Sequence, residues 1–184
     1  MRRNSSPNYR RHEAGIFALI LSACLVAQVQ ADSIGYVDQI HDVGFVDKIV
    51  VKKSQRKLLL IKNGEAFKSF KVSLGQRPVG HKLFEGDNRT PEGSYVLDKR
   101  NANSKYFLSI QISYPNKDDT LRAEELGVPP GGMIMIHGQP NEPKYSKVHY
   151  RSNDWTEGCI AVSNSAMLDI WFLTGKNTLI EIYL

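Results

Sequence analysis

From position 48 onward the sequence is a series of short segments rich in aliphatic residues and separated by turn residues. The clearest pair is 57–62 and 66–74, which flanks Asn63-Gly64, a dipeptide typical of tight β-hairpins. Residues 107–112 alternate apolar and polar side chains with a period of two, as a half-buried strand does. Since segments this short bury an apolar face only by pairing, the pattern predicts a sheet.

Two segments predict helices. Residues 120–126 form one short helical stretch, which Gly127 and two prolines end. The second begins at Ser163 or Asn164 as a cap, repeats apolar residues at three- and four-residue spacing, and stops at Gly175. With a closing strand over 179–184, the pattern predicts an α+β, mainly β domain with two or three short helices.

The first 31 residues have the layout of an export signal. Four arginines precede the uncharged apolar run Ala14–Ala23, and Val29-Gln30-Ala31 then offers a signal-peptidase site. The apolar run is too short to span a membrane comfortably. A second route is open, because Leu21-Ser22-Ala23-Cys24 has the form of a lipobox in which Cys24 would be acylated. Either route predicts a domain exported to the periplasm or cell envelope, with membrane contact only through the signal peptide or a lipid anchor at Cys24.

These features divide the chain into a signal peptide over 1–31 (or a lipoprotein signal over 1–23), an N-terminal extension over 32–46 and a single domain over 47–184. Removal of the leader leaves 153 of the 184 residues, enough for one compact core. The leader holds about +3 of the formal net charge of +5, so the rest carries about +2. We therefore expect no nucleic-acid partner.

Cys159 is the lone cysteine of the predicted domain once the leader is removed. Cysteines of exported proteins are normally paired, and a free thiol there is open to oxidation. One explanation is a buried, inert thiol. The other is a nucleophile. His137 follows 133–136, a short apolar run that predicts a strand buried on both faces, and an imidazole within hydrogen-bond reach can take the proton of a thiol. The residues alone leave both explanations open.

A zinc site built from His137, His149 and Cys159 is a further alternative. Their spacing matches no compact zinc motif, so we predict neither a metal nor a cofactor.

His137-Gly138, a loop, and then Thr156-Glu157-Gly158-Cys159-Ile160 resemble the signature of the L,D-transpeptidase catalytic domain, also called the YkuD domain. Two further segments carry the resemblance. Gly86–Gly93 looks like the family's Thr-Pro-x-Gly turn, and Asp154–Asn164 resembles the branch with an Asp-Trp-Thr-x-Gly-Cys-Ile-Ala motif. The similarity runs from about Ile49 to the C-terminus and implies a YkuD-like, β-rich catalytic domain.

The resemblance also implies roles for individual residues. Cys159 matches the nucleophile and His137 the proton acceptor and donor. Gly158 and Cys159 match the region whose backbone amides stabilise an oxyanion, with Thr156 and Gly138 as support. Weaker hypotheses for substrate contacts concern Arg89, Tyr114 and His149. Ala161 is a departure, because many relatives carry Arg there, and it leaves the acyl acceptor open.

The implied activity is that of an exported cysteine acyl-transferase that forms or remodels links between peptidoglycan stem peptides through a Cys159 thioester. Its expected partners are stem peptides and, as one possible acceptor, a wall-attached lipoprotein. One alternative is a carboxypeptidase or endopeptidase that hydrolyses such amides, including lipoprotein–peptidoglycan links. A third is a non-catalytic wall-binding module. The loop with Lys144 and Tyr145–Tyr150 would be either a lid over the acyl site or an ordinary surface loop.

Overall fold

The computed structural model describes residues 44–184. The strands are β1 (Lys48–Lys52), β2 (Lys57–Lys62), β3 (Glu65–Lys71), β4 (Gly93–Ser104), β5 (Phe107–Ile112), β6 (Met135–His137), β7 (Ile160–Ala161) and β8 (Leu179–Tyr183), and the helices are α1 (Lys117–Glu125), α2 (Lys147–Ser152) and α3 (Asn164–Leu173). The predicted signal peptide, the Cys24 lipobox and most of the 32–46 extension lie outside the described residues. Across residues 44–184, none of the helices is long and apolar enough to cross a bilayer.

The eight strands form one sheet in the order β3-β2-β1-β8-β4-β5-β6-β7. Neighbours are antiparallel except for the parallel pairs β1–β8 and β6–β7. Beyond β3 the chain runs alongside β7, where Ser73 and Ala161 exchange backbone hydrogen bonds of 2.9 and 2.8 Å. An isolated bridge next to it joins Gly75 to Thr156. The first and last strands of the sheet are therefore linked, and the Cys159 loop is attached to both.

The core is built from the inward faces of the central strands and one face of α3. Within the strands the fully buried aliphatic side chains include Ile49, Val51, Leu58, Leu60, Ile180 and Ile182. Each such side chain stabilises the fold by about 1.5–3 kcal/mol. In α3 the buried positions are Ala166, Met167, Ile170 and Leu173, whereas Phe172 is 54% exposed. The predicted helix is thus confirmed, and the Ser163 hydroxyl caps it by accepting the Ala166 N–H at 3.1 Å.

The mainly β fold with three helices agrees with the prediction, but several bounds differ. β4 runs on through polar residues to Ser104, and α1 begins at Lys117 because Asn116 and Asp119 form a capping box. The short helix α2 was not predicted. The expectation that 133–136 is buried on both faces is wrong at Met133, which is 62% exposed and has a left-handed backbone with φ of 56°.

Candidate active site

His137 and Cys159 are brought together by the parallel pairing of β6 and β7. Ile136 lies opposite Ile160 and His137 opposite Ala161, and the Met135 backbone lies within hydrogen-bond reach of the Cys159 thiol, which precedes β7. Side chains two positions apart on neighbouring strands project from the same face of a sheet. By this alternation His137 and Cys159 lie on one face of the sheet, and the fully buried Ile136 and Ile160 lie on the other.

The imidazole of His137 has a defined orientation. Its Nδ1 lies 2.7 Å from the Gly138 carbonyl oxygen, which can only accept, so Nδ1 carries the proton and donates it. The lone pair is therefore on Nε2. A side chain at Gly138 would disturb this arrangement, because its Cβ would lie 2.7 Å from Asn164 Oδ1 and 2.9 Å from Phe107 Cβ.

Two aromatic rings enclose the imidazole. The Tyr106 ring centroid lies 4.7 Å from that of His137, and the Trp155 ring stands edge-on at 5.6 Å. His137 is 4% exposed as a result. Burial penalises the charged imidazolium and lowers the pKa of His137 to about 4. The imidazole is neutral near neutral pH and can act as a base.

The Cys159 thiol is partly accessible, and its Sγ lies 3.6 Å from the Met133 carbonyl oxygen. Burial raises the pKa of this thiol, while a hydrogen bond from the Met135 backbone opposes the shift. Two nearby charges act on the same pKa in opposite directions, Glu157 raising it and Lys82 lowering it. The thiol is therefore neutral near neutral pH, and a base would be needed to convert it to a thiolate.

Thr156 holds the loop that carries the thiol. Its buried hydroxyl donates to the Cys159 carbonyl at 2.7 Å and accepts the Gly158 N–H at 3.2 Å. Thr156 was predicted to support the site, and these two hydrogen bonds are how its hydroxyl contacts the Cys159 loop. The Gly158 amide is engaged within the loop, so an oxyanion role for it would require this bond to break. The same role for the Cys159 amide stays a prediction.

The loop is packed against the backbone of residues 86–93. Gly158 has φ of 131°, and a Cβ there would lie 2.7 Å from the Arg89 carbonyl oxygen. At Gly75 a Cβ would lie 2.3 Å from the Asn88 carbonyl oxygen and 3.0 Å from the Gly158 Cα. Only glycine permits three backbone segments to approach this closely.

The three residues predicted to contact the substrate lie in different surroundings. Tyr114 is 3% exposed and donates its hydroxyl to the Pro130 carbonyl at 2.9 Å, so its ring is packed in the core, and its contact with substrate stays a prediction. The Arg89 guanidinium donates to the His81 carbonyl at 3.4 Å. The backbone carbonyl oxygen of Arg89 lies against Gly158. His149 stacks on Tyr145 at 4.4 Å and lies in α2. Among residues 44–184, no three His, Cys, Asp or Glu side chains are placed to hold a metal ion.

Three charged side chains near the site have structural roles that the sequence analysis did not assign. Lys82 and Asp87 form a buried ion pair of 2.8 Å, with 3% of each side chain exposed. Asp154 accepts the Leu74 N–H at 2.9 Å and pairs with Arg56 at 2.7 Å, which fixes the start of the Cys159 loop. The partners of Asp154 lie 80 and 98 residues away along the chain, so no local pattern predicts them. Lys82 is only five residues from Asp87, but the sequence does not show that the pair is buried.

A cleft of about 600 Å³ opens beside the rings that enclose His137. Its walls come from the β4–β5 turn, the loop after β6, and α2 with the segment that follows it. The lining residues are Lys105, Tyr106, Pro140, Asn141, Glu142, Lys144, Tyr145, Tyr150 and Trp155. The segment predicted as either a lid or a surface loop therefore forms one wall of this cleft.

The chain belongs to the L,D-transpeptidase catalytic domain family (YkuD), whose profile matches residues 47–182. The family prediction and the β-rich fold are confirmed. The chain is similar to the helical cell shape determining protein Pgp2 from Campylobacter jejuni, with 25% identity, a TM-score of 0.57, and coverage of 76% of this chain and 49% of that one. It is also similar to Bd1075 from Bdellovibrio bacteriovorus, with 26% identity, a TM-score of 0.54, and coverage of 76% and 48%.

An L,D-transpeptidase from Xylanimonas cellulosilytica matches at 16% identity with a TM-score of 0.49, covering 76% of this chain and 61% of that one. The chain spans about half the length of Pgp2 and Bd1075. A comparison with curated proteins gives no match.

Proposed function

We propose that this chain is an exported cysteine acyl-transferase that forms or remodels links between peptidoglycan stem peptides, with Cys159 as nucleophile and His137 as base. The observation that carries the proposal is the β6–β7 register, which puts the strand-end imidazole and the thiol on one face. Family membership supports the peptidoglycan substrate. Export rests on the leader sequence described above.

The orientation of His137 supports the order of proton transfers. The Nε2 lone pair would take the Cys159 proton as the sulfur attacks the carbonyl carbon of the third residue of a stem tetrapeptide. The resulting oxyanion would be stabilised by the Cys159 backbone amide. Nε2–H would then protonate the departing D-alanine amine as the C–N bond breaks, leaving a thioester and a neutral imidazole. An incoming amine would lose its proton to Nε2, attack the thioester and form a new amide, which releases the thiol.

A role in cell shape is part of the proposal. Pgp2 is named as a helical cell shape determining protein, and 76% of this chain aligns with about half of it at 25% identity. Changes in stem-peptide links alter the wall that sets the shape of a bacterial cell.

The test is mass spectrometry of purified muropeptides incubated with the wild-type protein and with Cys159→Ala. We expect cross-linked dimers and free D-alanine with the wild type and neither with the variant. A thermal unfolding midpoint equal to that of the wild type would establish that Cys159→Ala is folded.

Other outcomes identify the alternatives. Shortened stems without dimers would indicate a carboxypeptidase, and loss of existing cross-links or of attached lipoprotein would indicate an endopeptidase. Saturable binding of muropeptides with no Cys159-dependent product would overturn both enzymatic functions and leave a wall-binding module.

A further inference from the structure

The turn between β1 and β2 (residues 53–56) carries a lysine that is wholly buried. Lys53 is 0% exposed. Its ammonium donates to the carbonyl oxygens of Gly80 at 2.6 Å and Thr90 at 2.8 Å, and to the Glu92 carboxylate at 2.9 Å, so all three of its N–H donors are used. Burial penalises the charged form and lowers the pKa of Lys53, while the hydrogen bond with Glu92 opposes this shift. The side chain therefore ties the two ends of the segment from Gly80 to Glu92 together.

That segment is the backbone against which the loop that carries the thiol is packed. Thr90 is fully buried, and its hydroxyl accepts the Gly75 N–H at 3.0 Å. The neighbouring Arg89 carbonyl lies against Gly158, the residue directly before the thiol. Since Lys53 holds the Thr90 carbonyl, it fixes from behind the backbone that Gly75 and Gly158 both contact.

A second side chain of the same turn reaches the start of the thiol loop. Arg56 donates to the Asp154 carboxylate from Nε at 2.9 Å and from one terminal nitrogen at 2.7 Å, and its other terminal nitrogen donates to the Lys53 carbonyl at 2.6 Å. Asp154 in turn accepts the Leu74 N–H, and the Leu74 carbonyl accepts the Thr156 N–H at 3.1 Å. Because paired bonds from a guanidinium to a carboxylate fix orientation as well as distance, the turn also holds this loop at its start.

We propose that Lys53 and Arg56 are positioning residues for the reaction at Cys159, and that together they set the place of the thiol relative to His137. Both act through the backbone segments that enclose the thiol loop and not by contact with the reacting atoms. This inference rests on the proposed function. A displacement of about 1 Å can slow a reaction about a hundredfold, so looser anchoring should lower kcat and leave KM nearly unchanged.

Amide hydrogen exchange, measured by NMR, tests the anchoring without any need for activity. Lys53→Met removes the three donors and keeps an unbranched side chain, and Arg56→Met removes the guanidinium. Each should speed the exchange of the Thr156 and Gly158 amides about tenfold. The matched control is Lys57→Met, which removes an exposed cation from the same hairpin and should leave both amides unchanged. Wild-type exchange rates in Lys53→Met and Arg56→Met would overturn the inference.

The kinetic test uses the same variants in an assay of D-alanine release. In Lys53→Met and Arg56→Met, kcat should fall about tenfold with KM within about twofold of the wild-type value, and Lys57→Met should match the wild type. A kcat equal to that of the wild type, or a rise in KM alone, would overturn the positioning role. Because the Arg56 side chain is 33% exposed, its variant decides the test if Lys53→Met does not fold. A wild-type protein that releases no D-alanine would contradict the proposed function, whereas the exchange rates would still decide whether the turn anchors the thiol loop.

Discussion

His137 and Cys159 both lie in surroundings that disfavour their charged forms. Burial lowers the pKa of the imidazole to about 4 and raises the pKa of the thiol, which the Met135 backbone only partly offsets. The resting pair is therefore a neutral thiol beside a neutral imidazole, not a preformed ion pair. In the proposed reaction, proton transfer would therefore accompany attack on the substrate, so small changes in the position of the sulfur should have large effects on rate.

Thr156 controls that position, because its hydroxyl bonds to both ends of the Gly158-Cys159 segment. We expect Thr156→Val to lose both hydrogen bonds and leave the Gly158 N–H without its partner. The free energy of unfolding should fall by about 1–3 kcal/mol, and D-alanine release should fall at least about tenfold. Urea unfolding and an assay of D-alanine release measure the two effects.

The control is Thr156→Ser, which keeps the hydroxyl and deletes only a methyl group. It should recover most of the D-alanine release lost in Thr156→Val. If the serine and valine variants are equally slow, the hydroxyl does not position Cys159 and packing of the methyl group is the cause.

At the scale of elements, the Cys159 loop depends on the segment from Lys82 to Thr90 behind it. Burial acts to raise the pKa of Asp87, but hydrogen bonds from Lys82 and from the Leu83 and Arg89 amides hold it below its usual value. The same segment places the Arg89 carbonyl against Gly158. A buried ion pair is therefore linked through one loop to the position of the nucleophile.

Asp87→Asn should test this link, because it leaves the buried Lys82 ammonium without a counter-charge. Removing one partner of a buried pair costs about 3–5 kcal/mol, and we expect urea unfolding to show a loss of that order together with slower D-alanine release. The control is Glu181→Gln, which breaks the more exposed Lys48–Glu181 pair and should leave the free energy of unfolding close to that of the wild type. Equal losses in the two variants would contradict a special role for the Lys82–Asp87 pair.

The elements differ in how far the sequence predicts them. β5 was predicted because its residues alternate in polarity, and α3 because a cap precedes its apolar repeat. The outer half of β4 was missed, since Asp98–Asn103 is polar and its pairing to β5 is interrupted by register shifts. His137 and Cys159 were predicted as a catalytic pair from a motif, and this role stays a prediction; their common face depends on the β6–β7 register, which joins positions 24 residues apart and leaves no local signal.

At the scale of the whole molecule, folding must remove His137 from water in its neutral form. In the unfolded chain a histidine has a pKa near 6.5, against about 4 in the fold. Between these values the unfolded state binds more protons than the folded state, so stability rises with pH and is lost as the pH falls through this window. The proposed base, His137, is therefore also expected to make the fold sensitive to acid.

The prediction is a pH-dependent loss of stability that His137 itself causes. From about pH 7 to about pH 4.5, the wild type should lose roughly 2–3 kcal/mol of unfolding free energy through this residue. His137→Gln has no proton to take up, so its urea-unfolding curve should flatten by that amount over the same range. Each protein's unfolding free energy is compared with its own value at neutral pH. The difference between the two pH dependences then reports the titration of His137, whatever the effect of the substitution on stability at neutral pH. Parallel pH dependences in the two proteins would mean that His137 titrates normally in the fold and is not enclosed by Tyr106 and Trp155 as the structure has it.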